Sequence, residues 1–286
     1  MTFDPNYGHY RGAAGTPRGF APSQGVSSGY DAGTLMDDLQ YHFKFDTATG
    51  LLTDSVTSTV LSGTNSPTTE TGVVGQAVGF NDSDESRASS TAAALLTAAD
   101  EVPSATPASN VTYPFTIICW FYPEQKIGWS PSGTFVKELE TGGDNWVIYA
   151  YSVNSAVSCN FGFGLAGSGS LRTTSLTGNQ AMDAWHCVVC QWYGVNTDET
   201  GSYQLYDAAK RISLVTGTAG SGSISETQYA TCCGEHLLQG TELQLSQPPG
   251  YDLNGRLDLL TRWNRILTTD EILQFYNRSM AGLAPI

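Results

Sequence analysis

The sequence predicts an all-β fold, in which two antiparallel sheets pack as a jelly-roll sandwich with one short C-terminal helix and an extended N-terminal arm. Short apolar runs recur after residue 38, separated by Gly, Ser and Asn turns, as is typical of many short strands. The 286-residue chain is 40% hydrophobic and carries 31 glycines, so it can bury one large core and still form many turns.

Residues 1–38 are predicted to form the arm, and residues 39–286 the sandwich. The arm contains seven glycines and three prolines but no apolar run that could make a core. Flexible linkers rarely carry many aromatics, which favours an arm that orders against a neighbouring subunit over an unstructured leader. The aromatic and arginine side chains spread along this arm are Phe3, Tyr7, Tyr10, Arg11, Arg18, Phe20 and Tyr30.

The strands are predicted from alternating and continuous apolar runs. In residues 39–46, Tyr41, Phe43 and Phe45 share one face of a strand. Residues 115–122 are apolar throughout, as expected of a central strand covered on both faces. The other predicted strands are 73–80, 134–139, 146–151, 159–165, 185–193, 203–206, 212–215, 229–237 and 255–263.

The C-terminal helix is predicted from its cap. Thr268 is a suitable N-cap, and Glu271, three residues later, completes a capping box. Leu267 and Ile272 are placed to form a hydrophobic staple across the start of the helix. A shorter helical turn is expected at residues 92–99, within polar, alanine-rich loops.

The six cysteines are interpreted as mostly buried, reduced thiols. Cys187 and Cys190 lie three residues apart in one predicted strand, so their side chains point to opposite faces and cannot bridge each other. Cys119 lies within an apolar strand, as a core residue would. One or two long-range disulfides are the alternative, and no spacing of Cys and His residues predicts a tetrahedral zinc site.

The charge of the chain disfavours two classes of partner. The net charge is −14 and the pI is about 4.5, so the field repels nucleic-acid phosphates and anionic membrane surfaces. Neutral sugars, cations and basic protein surfaces remain compatible. No segment has the roughly 20 apolar residues of a membrane span. Because the first residues lack a secretory-signal pattern, we expect the chain to stay where it is made, or to leave by lysis or within an assembled particle.

Four segments between residues 39 and 280 follow one another in the order of a known family. They are Phe-Lys-Phe-Asp at 43–46, Gly-Gln-Ala-Val-Gly-Phe-Asn-Asp-Ser at 75–83, Phe-Thr-Ile-Ile-Cys-Trp-Phe-Tyr-Pro at 115–123, and Leu-Asn-Gly-Arg-Leu-Asp at 253–258 with Trp-Asn-Arg-Ile-Leu-Thr at 263–268. Together they resemble the laminin-G-like, or concanavalin A-like lectin/glucanase, domains of viral and bacterial surface proteins. The second segment departs from the family pattern, because Asn-Asp-Ser stands where Asp-Gly-Ser is usual.

The resemblance implies a calcium ion as the candidate cofactor. Asp46 and Asp258 match acidic positions in the family's first and last strands, and Asp82 or Asp84 comes from the second segment. Carboxylates supply the hard oxygen ligands that calcium requires. The alternative is that these residues are solvated turn aspartates, or a buried aspartate that accepts backbone hydrogen bonds.

The resemblance also raises the question of hydrolysis, since glucanases of this fold use paired carboxylates on one strand face. Glu138 and Glu140 can share a face, but a Gly-Gly-Asp turn follows at 142–144 and the third acidic residue of the glucanase pattern is absent. No Gly-x-Ser-x-Gly elbow occurs. The sequence therefore predicts a protein without catalytic residues, with a glycoside hydrolase as the second alternative.

The leading functional prediction is a virion-associated surface protein, of the phage capsid decoration or tail-fibre type. Its arm would join capsid or tail proteins, or sister subunits of a homo-oligomer, at the virion surface. The first alternative is an extracellular or cell-surface lectin for glycan or host adhesion, with Trp129, Tyr151 and Tyr193 as aromatic sugar platforms. Neither nucleic-acid binding nor membrane insertion is expected.

Overall fold

The computed structural model describes residues 35–47, 50–81, 86–97, 114–124, 133–140, 143–152, 158–167, 170–195, 201–207, 241–246 and 254–286. Fourteen strands and a helix, α1 (Thr269–Met280), lie within them. The strands are β1 (Leu39–Phe43), β2 (Ser62–Thr64), β3 (Thr68–Thr71), β4 (Gln76–Phe80), β5 (Arg87–Ser90), β6 (Phe115–Pro123), β7 (Gly133–Glu140), β8 (Gly143–Ser152), β9 (Ser158–Gly167), β10 (Ser170–Ala181), β11 (His186–Val195), β12 (Gly201–Asp207), β13 (Glu242–Leu245) and β14 (Gly255–Trp263).

These strands form two antiparallel sheets. Sheet 1 has the order β12-β11-β6-β14-β4-β3, and β1 pairs with the second half of β14 beside β4. Sheet 2 has the order β10-β9-β8-β7-β13-β5-β2. The predicted all-β, two-sheet architecture with one short C-terminal helix is confirmed.

Strand β6 shows how the sheets bury both of their faces. Ile117, Cys119 and Phe121 point into the inner cluster, the core between the sheets, where Phe121 stacks on Phe135 of sheet 2 with ring centroids 3.7 Å apart. The intervening Ile118 and Trp120 belong to the outer cluster, on the opposite face of sheet 1. The prediction of a central strand covered on both faces is therefore confirmed.

The outer cluster is covered by α1 and by the segment that precedes β1. Trp120 stacks on Tyr276 of the helix, and Trp263 meets Phe275 edge to face. Leu35 is completely buried in the same cluster, and its carbonyl accepts a hydrogen bond from Trp263 Nε1 at 2.7 Å. Residues from Leu35 onward thus already pack on the sandwich, four positions before the predicted boundary between arm and sandwich.

The helix begins as its cap predicts. The Thr268 side chain accepts a hydrogen bond from the Glu271 amide, and the Glu271 carboxylate accepts one from the Thr268 amide. Leu267 and Ile272 are both buried in the outer cluster, as expected of a staple. Arg265 adds an ion pair to Glu271, with Nη2 and Oε1 2.7 Å apart.

Several strands differ from their predictions. Strands β2, β3, β5 and β10 occupy Ser-, Thr- and Gly-rich or short segments that show no alternating apolar pattern. Strand β13 was also not predicted, because its alternation of Leu243 and Leu245 extends over only four residues. The strand predicted at 73–80 begins only at Gln76, because residues 72–75 form the β3–β4 turn. The helical turn expected at 92–99 is reduced to Ala93–Leu95. The strands predicted at 212–215 and 229–237 lie outside the described residues.

The described cysteines agree with the interpretation of reduced thiols. Cys119, Cys187 and Cys190 are buried, reduced thiols. Cys187 lies in the outer cluster and Cys190 in the inner one, on opposite faces of β11 as the spacing predicts. Within the described ranges, no helix is long and apolar enough to cross a membrane.

Candidate functional site

Glu138, the carboxylate considered for hydrolysis, lies in the core rather than at an exposed turn. Its side chain on β7 is 0% exposed. Oε2 accepts a hydrogen bond from the Thr97 amide at 2.8 Å, and Oε1 accepts one from Thr97 Oγ1 at 2.7 Å. A carboxylate enclosed in this way cannot reach a polysaccharide on the protein surface.

The partner of Glu138 is Arg262, which reaches across from β14 of sheet 1. Arg262 Nη1 lies 3.2 Å from Glu138 Oε2, and Nη2 donates to Thr97 Oγ1 at 3.1 Å. The guanidinium also lies over the ring of Phe115, 4.9 Å from its centroid. Both charges are almost completely buried, so this ion pair ties the two sheets together through the apolar core.

Asp258 occupies a bulge in β14, on the outer face of sheet 1. The register with β6 shifts between Asp258 and Thr261, and Leu259 has a φ of +50°. Asp258 Oδ2 accepts hydrogen bonds from the amides of Val73 at 2.7 Å and Val74 at 3.0 Å, within the β3–β4 turn. This is the alternative arrangement considered above, a buried aspartate that accepts backbone hydrogen bonds.

The β3–β4 turn fits closely around this carboxylate because it begins with glycine. A Cβ atom at Gly72 would lie 2.5 Å from Asp258 Oδ2 and 2.7 Å from the carbonyl oxygen of Gln76. No larger residue fits there without displacing the turn or the aspartate.

The surroundings of Asp258 favour its neutral form. Burial raises its pKa from the ordinary 3.8 to about 8, although the amides of Val74, Val73 and Leu259 act in the opposite direction. The negative charge of Asp46 also acts to raise the pKa, and about 8 is the net result of all these causes. The predicted pair Asp46 and Asp258 is therefore close enough to interact.

A calcium ion fits part of this arrangement. Asp258 Oδ1 is buried and makes no hydrogen bond within the described residues, and a second carboxylate, Asp46, lies nearby. Unpartnered carboxylate oxygens are hard ligands of the kind calcium takes. In the described part of the chain, no three His, Cys, Asp or Glu residues come together as metal ligands. Carbonyl oxygens or water would have to complete the shell, and the calcium site stays a proposal.

The remaining predicted site residues are not placed by the structure. Asp82, Trp129 and all seven arm residues lie outside the described ranges. Tyr151 belongs to β8 and Tyr193 to β11, but only their backbone is described. Their roles as calcium ligand, sugar platforms and assembly contacts remain predictions.

The outer face of sheet 1 carries a cluster of side chains that the sequence did not single out. Beyond the part of this face that α1 covers, Tyr122 meets Trp185 edge to face, with ring centroids 5.4 Å apart. The Arg256 guanidinium lies over the Tyr122 ring, 4.9 Å from its centroid. All three side chains are half-buried, and we call them the Tyr122 patch.

Carboxylates surround the Tyr122 patch. Arg256 Nε lies 2.7 Å from Glu124 Oε1, and its Nη1 lies 3.8 Å from Glu70 Oε2. Burial raises the pKa of Tyr122, and the charge of Asp183 raises it further, so the phenol stays protonated at neutral pH. The surface thus combines an aromatic pair, one fixed guanidinium and several hydrogen-bond acceptors.

The sequence matches no protein-family model and no curated protein. Solved structures are similar in fold. The binding domain of Paraclostridial Mosquitocidal Protein 1 is 13% identical, with a TM-score of 0.56 over 84% of this chain and 52% of the other. The binding domain of botulinum neurotoxin DC in complex with SialylT is 10% identical, with a TM-score of 0.50 over 85% and 52%.

A third similar structure concerns botulinum neurotoxin type C, whose cell entry depends upon interaction with two ganglioside molecules. It is 11% identical, with a TM-score of 0.50 over 87% of this chain and 53% of the other. The chain spans about half the length of these three structures. At such identities the likeness shows the fold alone, and the narrower laminin-G-like relationship stays a prediction. The chain folds as a two-sheet antiparallel jelly-roll sandwich of the concanavalin A type.

Proposed function

We propose that the chain is a non-catalytic binding module whose ligand is a carbohydrate. The observation that carries the proposal is the fold itself, shared over more than four fifths of the chain with toxin domains solved as binding domains or linked to gangliosides. Fold likeness does not fix a ligand, and the side chains of the Tyr122 patch add independent support. An open aromatic surface with a fixed arginine, as in the Tyr122 patch, is suited to sugars.

The non-catalytic part of the proposal is supported by the core position of Glu138. Retaining and inverting glycosidases both need two carboxylates that flank the bond to be cleaved. Glu138 is buried and ion-paired, and Asp258 is held by backbone amides beneath the β3–β4 turn. Neither carboxylate is available to a polysaccharide.

The proposal predicts specific glycan binding without turnover. The full chain should bind a defined subset of an immobilised glycan panel, and the free glycan should compete for it. Parallel panels with calcium and with a chelator measure whether a cation contributes. Failure to bind any glycan would contradict the carbohydrate assignment, and release of reducing sugar from a bound polysaccharide would contradict the non-catalytic one.

A second candidate role, attachment to a virion or to sister subunits, rests on the composition of residues 1–38, with its spread of aromatic and arginine side chains. Because Leu35 and the carbonyls of Asp37 and Asp38 contact the sandwich, the informative truncation removes residues 1–34 only. We expect the truncated protein to unfold at the same temperature as the full chain but to lose co-sedimentation with the particle. Undiminished co-sedimentation would count against this role.

A further inference from the structure

The outer face of sheet 1 is covered on one part and open on another. Trp120 of β6 is 2% exposed beneath α1, where it stacks on Tyr276. Two positions further along the same strand and face, Tyr122 is half-exposed. Its ring neighbour Trp185, which directly precedes β11, is half-exposed as well. Aromatic side chains of this kind bury one surface and offer another to a ligand.

The arginine of the Tyr122 patch is held in place and still has donors to offer. Glu124 accepts from Arg256 Nε, and Glu70 lies within ion-pair distance of Nη1. Within the described residues, neither Nη nitrogen of Arg256 makes a hydrogen bond. The side chains of Arg256, Glu124 and Glu70 are 27%, 32% and 37% exposed, so their outward groups can reach a ligand. A planar guanidinium fixed by a carboxylate presents its donors in a set geometry.

The charges of this surface disfavour an anionic ligand. Glu70 and Glu124 lie beside the Arg256 guanidinium, the charge of Asp183 acts on Tyr122, and the whole chain has a net charge of −14, so a sialic acid or sulfate group is repelled. A lysine or arginine of a peptide would seek the face of an aromatic ring. Arg256 already occupies that position over Tyr122, so a second cation loses this contact and is attracted only by the carboxylates.

We infer that the Tyr122 patch binds a neutral glycan. The apolar face of a sugar ring packs on the Trp185 ring beside Tyr122, its hydroxyl groups donate to Glu124 and Glu70, and its hydroxyl oxygens accept from Arg256. This inference rests on the proposed function and specifies its site and its class of ligand. A neutral ligand would distinguish this chain from the neurotoxin structures, one of which was solved with SialylT and another linked to gangliosides.

The test compares neutral oligosaccharides with the same oligosaccharides carrying a terminal sialic acid. The full chain should prefer the neutral member of each pair, and its affinity should change little between low and high salt. Trp185→Ala and Arg256→Met should each weaken binding about tenfold, the equivalent of one lost contact of about 1.4 kcal/mol. Tyr122→Phe, which keeps the ring, should weaken it less.

Matched controls carry the same substitutions elsewhere. Tyr276→Phe and Arg278→Met, both on α1, should leave binding unchanged, and thermal unfolding verifies that every variant is folded. Neutral-glycan binding that persists in the patch variants would overturn the inference and leave the proposed function standing. A preference for the sialylated members, or patch-dependent binding of a basic peptide instead, would overturn the ligand class. Binding to no glycan at all would overturn both.

Discussion

Replacing Arg262 with methionine is expected to lower the free energy of unfolding by about 3–5 kcal/mol, the usual cost of removing one partner of a buried ion pair. The Glu138 carboxylate, 0% exposed, would keep its hydrogen bonds from Thr97 but lose its counter-charge. Methionine can still pack against Phe115, so the loss reports the charge rather than a cavity. Urea denaturation of the two proteins at pH 7 measures the difference.

Two further variants make this experiment decisive. Arg256→Met places the same substitution on the same strand in a half-exposed ion pair, and should cost at most about 1 kcal/mol. The double variant Arg262→Met/Glu138→Gln removes both buried charges and keeps an amide for Thr97, so it should recover most of the lost stability. If the double variant is as unstable as Arg262→Met alone, the ion pair is not the cause.

The sequence predicts those parts of the fold that a local pattern determines. The continuous apolar run of β6 indicates a strand buried on both faces, and Thr268 with Glu271 indicates where the helix begins; the structure confirms both. Strand β10 is missed because its Ser- and Thr-rich sequence, at the end of sheet 2, carries no alternation. Such a strand is determined by its pairing with β9 rather than by its own residues.

The candidate sites were predicted less well, because their contacts join residues far apart in the sequence. The sequence places Glu138 beside Glu140 on one strand face, whereas its ion-pair partner, Arg262, is 124 positions away. Asp258 is held by amides 185 and 184 positions away. The outward position of Tyr122 follows from the alternation of β6, but no local pattern indicates that α1 stops short of it.

Asp258 should make the protein less stable as the pH rises, in buffer containing a chelator. Its pKa is about 8 in the folded protein and near 3.8 when unfolded. Between these values the unfolded chain releases the proton and the folded protein retains it, so the free energy of unfolding falls by about 1.4 kcal/mol per pH unit from this group. Below pH 4 and above pH 8 its contribution is constant.

Asp258→Asn isolates this contribution. The asparagine oxygen can accept the same amides of Val73 and Val74, and its NH₂ group takes the place of Oδ1, which makes no hydrogen bond within the described residues. The stability of the variant relative to the natural chain should therefore rise from pH 4 to pH 8 and then level off. A difference that does not vary with pH would show that Asp258 titrates normally.

Calcium abolishes this pH dependence if Asp46 and Asp258 bind it. A cation requires the ionised carboxylate and competes with the proton, so saturating calcium should lower the pKa of Asp258 and remove the loss of stability between pH 4 and pH 8. The natural chain would then be stabilised by calcium most strongly above neutral pH, and Asp258→Asn would respond to calcium at no pH. Equal pH profiles with calcium and with chelator would instead identify Asp258 as a purely structural acid that holds the β3–β4 turn against sheet 1.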